Sequence, residues 1–147
     1  MTISEAQSTP SSPSPEEEEK DPSYVIDVTK EAEESRALGV LLLSHRCPSC
    51  KEGLGNIKKT PPNQEQISKI AKCCSRKEGF IRPQMPIQEI IFRIILSDGN
   101  KPTKLSHLLS LLTEEWATPM NPKSIDGEGL RKILASDNYY GFRELVD

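Results

Sequence analysis

Four cysteines fall within 28 residues of one another, as Cys47-Pro48-Ser49-Cys50 and then Cys73-Cys74, and the rest of the chain carries none. A C-x-x-C turn followed by a second cysteine pair is the pattern by which small proteins hold a tetrahedral thiolate metal, most often zinc. Pro48 favours a tight turn between the first two cysteines, and Gly53 and Gly55 suit a return of the chain just beyond. Such a turn aims two thiolates at one point while backbone N–H groups approach the sulfurs. The expected ligands are Cys47, Cys50, Cys73 and Cys74, holding a structural Zn2+. Neighbouring residues usually point different ways, so Cys73 and Cys74 both reach one ion only where the backbone bends. The alternative set uses Cys47, Cys50 and one of that pair, completed by His45 or a water. His45 otherwise reads as a surface histidine.

A chain of 147 residues suits one ordinary domain or two small ones. With 35% hydrophobic and 5% aromatic residues it supports one modest core, but not along its full length. The opening Met1-Thr2-Ile3-Ser4 has neither a basic region nor a long apolar stretch, so no export signal is expected. The longest apolar run, Val40 to Leu43, is far short of a membrane span, and no membrane partner is expected. The expected location is the cytoplasm, where thiols stay reduced and metal binding prevails over disulfides.

The net charge of −3 favours neither nucleic acid nor membrane, but its distribution is uneven. Residues 1–23 carry Glu5, Glu16 to Glu19 and Asp21 against Lys20, for −5. Residues 44–83 carry nine Lys or Arg against Glu52, Glu65 and Glu78, for +6. The basic segment is therefore the cysteine segment.

Three parts follow. Residues 1–23, rich in Ser, Pro and Glu, offer almost nothing to bury and are expected to form a disordered acidic tail. Residues 24–83 comprise a β-prone run at Tyr24 to Val28, a helix over 30–44 capped by Thr29, and the cysteine segment, with a short helix over 64–72. Residues 84–147 read as amphipathic helices. Ile87, Ile90, Ile91, Ile94 and Ile95 recur at helical spacing behind Pro86, and Asp98-Gly99-Asn100 ends that helix. A second helix is expected over 103–116, with Leu105, Leu108, Leu109, Leu112 and Trp116 inward. A third, capped near Ser124, runs to Ser136 with Leu130, Ile133 and Leu134 inward, although Gly127 and Gly129 disfavour its first turns. A closing strand is expected over 139–145. The predicted fold is mainly α: a zinc knuckle followed by a three-helix, winged-helix-like unit with a short strand.

The stretch from Gly99 to Leu109, Gly-Asn-Lys-Pro-Thr-Lys-Leu-Ser-His-Leu-Leu, is similar to the join between helices 1 and 2 of many bacterial winged-helix domains. Within that class it resembles the HARE-HTH kind found in the delta subunit of RNA polymerase. The Cys-Pro-Ser-Cys turn, the Cys73-Cys74 pair and the Asn138-Tyr139-Tyr140-Gly141 ending also resemble small bacterial proteins that join a zinc-ribbon-like segment to a winged helix. That resemblance implies architecture rather than an activity. Winged helices commonly lay their third helix in the DNA major groove beside a hairpin wing. The matching helix here offers Lys123, Arg131 and Lys132, but also Asp126 and Glu128.

The basic segment supplies Lys58, Lys59, Lys72, Arg76 and Lys77 as further candidates for phosphate contact. With Phe80 as its one aromatic, it is poorly suited to stacking single-stranded bases. No G-x-G-x-x-G, P-loop, G-x-S-x-G or H-E-x-x-H occurs, so no enzyme activity or small-molecule substrate is expected. Cys-Pro-x-Cys is also a redox spacing, but the surrounding βαβ pattern is missing. Two readings stay open: a protein that binds double-stranded DNA or a transcription-complex protein, and a protein–protein adaptor with a structural zinc.

Overall fold

The helix expected from the isoleucine repeat is present and lies at the centre of the fold. The computed structural model describes residues 21–29, 32–50 and 62–146. Among these, the elements run β1 (Ser23–Ile26), α1 (Ala32–Ser44), α2 (Asn63–Lys72), a 3-10 turn (Cys74–Arg76), α3 (Ile87–Ser97), β2 (Thr103–Lys104), α4 (Leu105–Ser110), α5 (Gly127–Ser136) and β3 (Phe142–Leu145). The fold is mainly helical with one small sheet. The expected tail lies outside the described residues over 1–20.

The repeat predicts one buried face for α3, yet Phe92 and Leu96 are as fully buried as Ile90, Ile91 and Ile95. A helix buried on several faces is an interior helix. Each aliphatic side chain removed from water contributes about 1.5–3 kcal/mol before entropy is counted, so α3 carries a large part of the core. Its end is a Schellman turn. Gly99, in the left-handed conformation at φ 74°, donates to the Leu96 carbonyl, and Asn100 donates to the Ile95 carbonyl.

Asn100 also has a positive φ, and its amide extends to β1, where Nδ2 donates to the Ile26 carbonyl at 2.9 Å and Oδ1 accepts from Ile26 N at 2.7 Å. One side chain thereby does for β1 what a neighbouring strand residue would do. The three strands are antiparallel in the order β2-β1-β3, with Tyr24 opposite Thr103 on one side and Glu144 on the other.

β1 is thus the middle strand, although it comes first in the chain. Its Tyr24, Val25 and Ile26 are buried, Tyr24 and Ile26 in one cluster with α1, α2, α3, α4 and α5 residues. That cluster draws on both sides of residue 84, where the sequence divides by pattern. Asp21 and Pro22, assigned to the tail from sequence, are held in place too. The Pro22 carbonyl accepts from Leu105 N, and the Asp21 carboxylate accepts from Ser106 N at the start of α4.

Two further expectations are corrected. The helix predicted over 103–116 opens with two residues of strand, and its second half, Leu111–Glu115, winds as a π-turn. The cap expected at Ser124 is Asp126, whose Oδ1 accepts from Gly129 N at 2.7 Å. Gly129 is tolerated in that first turn because a Cβ there would press against Asp126 Oδ1 at 3.0 Å. The cap expected at Thr29 falls at a helix start outside the described residues over 30–31; Thr29 itself donates to Asp27 Oδ1 from both N and Oγ1.

Asn100→Ala leaves the Ile26 backbone groups without their partners. It is expected to lower stability by about 1–3 kcal/mol in urea unfolding monitored by circular dichroism.

Candidate metal centre

Both cysteine pairs sit where a helix ends. Cys47 lies three residues beyond α1, after Leu42 and Leu43 accept from His45 and Arg46 in closing turns. Pro48 then opens a helical turn over residues 48–50. Cys73 caps α2 with φ −121° and ψ −66°, and Cys74 begins the 3-10 turn. This change of helix type is the bend that neighbouring cysteines need. It brings the sulfurs of Cys73 and Cys74 to those of Cys47 and Cys50, with all four ligand atoms within 4.8 Å of one another.

A tetrahedral site with Zn–S near 2.3 Å places its sulfurs about 3.8 Å apart. Cys47 Sγ and Cys73 Sγ are 3.6 Å apart, and Cys47 N donates to Cys74 Sγ at 3.0 Å, the N–H contact expected of a thiolate turn. The donor set and its spacing therefore fit a four-thiolate metal site, with neither cysteine of the pair left out.

The environment of the sulfurs is uneven. Cys74 is 1% exposed and belongs to the hydrophobic core, whereas the other three are half-buried against it. A hydrogen bond with Ser49 Oγ, helped by the Cys50 backbone, holds the Cys47 thiol down to about 6. Burial pushes Cys50 and Cys74 up. A divalent cation at the centre would favour all four as thiolates.

His45 is neither a ligand nor a surface residue. Its side chain is 7% exposed; Nδ1 contacts the Leu41 carbonyl at 2.8 Å and Nε2 contacts Glu89 Oε2 at 2.7 Å. With both nitrogens facing oxygen acceptors, the ring turns no lone pair toward the cysteines.

Glu89 is the residue that sequence reasoning passed over. Besides His45, it accepts from Arg93 Nε at 2.6 Å and from Tyr140 Oη at 2.6 Å. Arg93 in turn donates to the Phe80 carbonyl and lies over the Phe80 ring, six residues past Cys74. Both cysteine arms are therefore tethered through one carboxylate on α3. Its only signal in sequence is a lone acid within an isoleucine-rich helix, which names no partner. Burial works against its charge, but the hydrogen bonds from His45, Tyr140 and Arg93 outweigh burial and hold the carboxyl down to about 2.

The basic candidates are dispersed in role. Lys58 and Lys59 lie outside the described residues. Lys72, Arg76 and Lys77 are exposed around Cys73 and Cys74. Arg46, counted in the basic segment, is instead 7% exposed, with Nε lacking a hydrogen-bond partner among the described residues. On the other side of the chain, Lys123 Nζ donates to the Pro83 and Asn121 carbonyls. Arg131 pairs with both oxygens of Glu144 at 2.8 and 2.9 Å, and Tyr24 Oη donates to the same carboxylate. Of the three cations offered around α5, Lys132 is exposed and the Arg131 side chain is 39% exposed beside Glu144.

Two outcomes are expected. Cys50→Ser and Cys74→Ser should each weaken metal binding at least tenfold in a competition assay with a chromophoric chelator. Cys74→Ser should also destabilise the apo protein by about 1–3 kcal/mol, because it places a hydroxyl in the core. Loosening should then reach beyond the cysteine segment, because Cys74 shares its core with α3 and α4.

The second outcome concerns acid. The folded Glu89 carboxyl titrates near 2 against an ordinary 4.5, so its stabilisation is complete above pH 4.5 and lost as pH falls through 2. The loss amounts to roughly 3 kcal/mol. Glu89→Gln should be less stable at pH 7 and should show a flatter fall in stability between pH 5 and 2, read by thermal melts.

Comparison with known proteins finds no family model, no curated relative and no solved structure that matches the chain, so its functional reading rests on its own residues.

Proposed function

We propose that the protein is a non-enzymatic zinc-binding module with a winged-helix-like scaffold, working as a protein–protein adaptor. The observation that carries this reading is the closed four-sulfur set. When every ligand is a cysteine, no position is left for a water or substrate, the mark of structural rather than catalytic zinc. The order α3, β2, α4, α5 and β3 supports the winged-helix likeness, with β1 taking the middle-strand place beside β3.

The adaptor reading is favoured over duplex recognition by what α5 has to offer. Arg131 is paired with Glu144, Lys123 Nζ is held by two backbone carbonyls, and Asp126 and Glu128 are exposed at the helix start. A helix with one exposed cation and two acids at its leading end would be repelled by phosphates. A transcription-complex protein is one class of partner consistent with the fold.

DNA binding stays as the second reading on a different surface. Lys72, Arg76 and Lys77, exposed beside the cysteine centre, form a cationic fringe suited to phosphate contact.

Native mass spectrometry of protein purified without chelator should find one zinc per chain. A mobility shift with random duplex DNA separates the two partners. The adaptor reading expects no shift at micromolar protein in moderate salt. A salt-sensitive shift abolished by replacing Lys72, Arg76 and Lys77 with alanine would establish the second reading instead.

A further inference from the structure

The four sulfurs are not equivalent toward a reagent arriving from solvent. Cys74 is in the core, and its sulfur already receives the Cys47 N–H. Cys47, Cys50 and Cys73 are each partly exposed, and of these Cys47 and Cys73 have their sulfurs in direct contact at 3.6 Å. A disulfide needs about 2.05 Å between sulfurs, so this pair has some 1.5 Å to close. Each sits beyond the end of a helix, where backbone adjusts more readily than within one: Cys47 after α1 and Cys73 as the cap of α2.

We propose that the centre is a peroxide-sensitive switch in which Cys47 and Cys73 form a disulfide and the zinc is released. The proposal rests on the zinc reading above and adds to it the pair that reacts. A Cys47 or Cys73 sulfur attacks one peroxide oxygen, breaking the O–O bond and forming a sulfenic acid. The released hydroxide takes a proton and leaves as water. The second sulfur then attacks the first, forming the S–S bond, and the sulfenic oxygen departs as a second water. Two thiolates are oxidised by one peroxide, with two protons consumed. Cys50 and Cys74 remain as two ligands, too few for a structural site, and the ion departs as they take up protons.

The geometry also gives the switch its outcome. The disulfide joins the end of α1 to the end of α2, the same two places the metal joins. The junction therefore stays closed while the centre changes from a doubly negative tetrathiolate to an uncharged disulfide and two thiols. Lys72, Arg76 and Lys77 lose that counter-charge, so the cationic fringe becomes more positive in the oxidised form.

Zinc-loaded protein is treated with hydrogen peroxide while a chromophoric chelator reports free zinc, thiols are counted, and disulfides are mapped by peptide mass spectrometry. The expected result is one zinc released for every two thiols lost, with the Cys47–Cys73 cross-link predominant. Dithiothreitol and zinc should restore the starting protein. Retention of zinc and four thiols at millimolar peroxide would overturn the proposal, as would a predominant Cys47–Cys50 or Cys73–Cys74 bond. Irreversible sulfinic acid in place of a disulfide would overturn it equally. Should the purified protein hold no zinc, the zinc reading fails by itself. The same mapping on metal-free protein still decides the pair, since Cys47 and Cys73 must cross-link there too.

Discussion

The Glu89 carboxylate ties together parts of the chain that lie far apart in sequence. It receives His45 from the end of α1, Arg93 from its own helix and Tyr140 from the loop before β3, and Arg93 extends the tie to Phe80. Charge-assisted hydrogen bonds to a mostly buried acid are among the stronger polar contacts available to a protein. Removing one partner would leave a desolvated charge short of a donor, so the set holds or fails together. Packing around it follows the same plan: Phe92, next to Arg93 on α3, lies 5.0 Å from the His45 ring and 4.9 Å from the Tyr140 ring.

This placement explains how a segment with little apolar content of its own keeps a defined cysteine centre. Cys74 belongs to the core, Cys47 follows directly on the His45 tether, and α2 docks on α1 through buried Gln66, whose amide donates to the Gly39 carbonyl at 3.1 Å. The four sulfurs are presented by helix ends that packing holds in place.

Local pattern made much of this legible from sequence. The isoleucine repeat locates α3, Gly99 marks its end, and the cysteine spacing identifies the centre. Two kinds of information were hidden. One is the long-range partner: nothing in Tyr24-Val25-Ile26 says that it pairs with residues 103–104 and 142–145, and nothing in Glu89 says that it meets His45. The other is local geometry governed by competition, such as the π-turn at Leu111–Glu115 or the choice of Asp126 over Ser124 as cap. The adjacent cysteines lay between these cases. Their joint use depends on a helix changing type between Lys72 and Cys74, and composition does not encode that change.

The position of β1 has a consequence for how the molecule comes into being. Among the described elements this strand emerges first during synthesis, yet its partners lie roughly 80 and 120 residues further along. Tyr24, Val25 and Ile26 must therefore wait, apolar and unpaired, until nearly all the described chain has been made. Contacts so distant in sequence close slowly, because the intervening loop loses entropy before any pairing is gained. The helices α1, α2 and α3 meet far earlier. Assembly should thus proceed from a helical nucleus to a late sheet, with the earliest of the three described strands being the last to be secured.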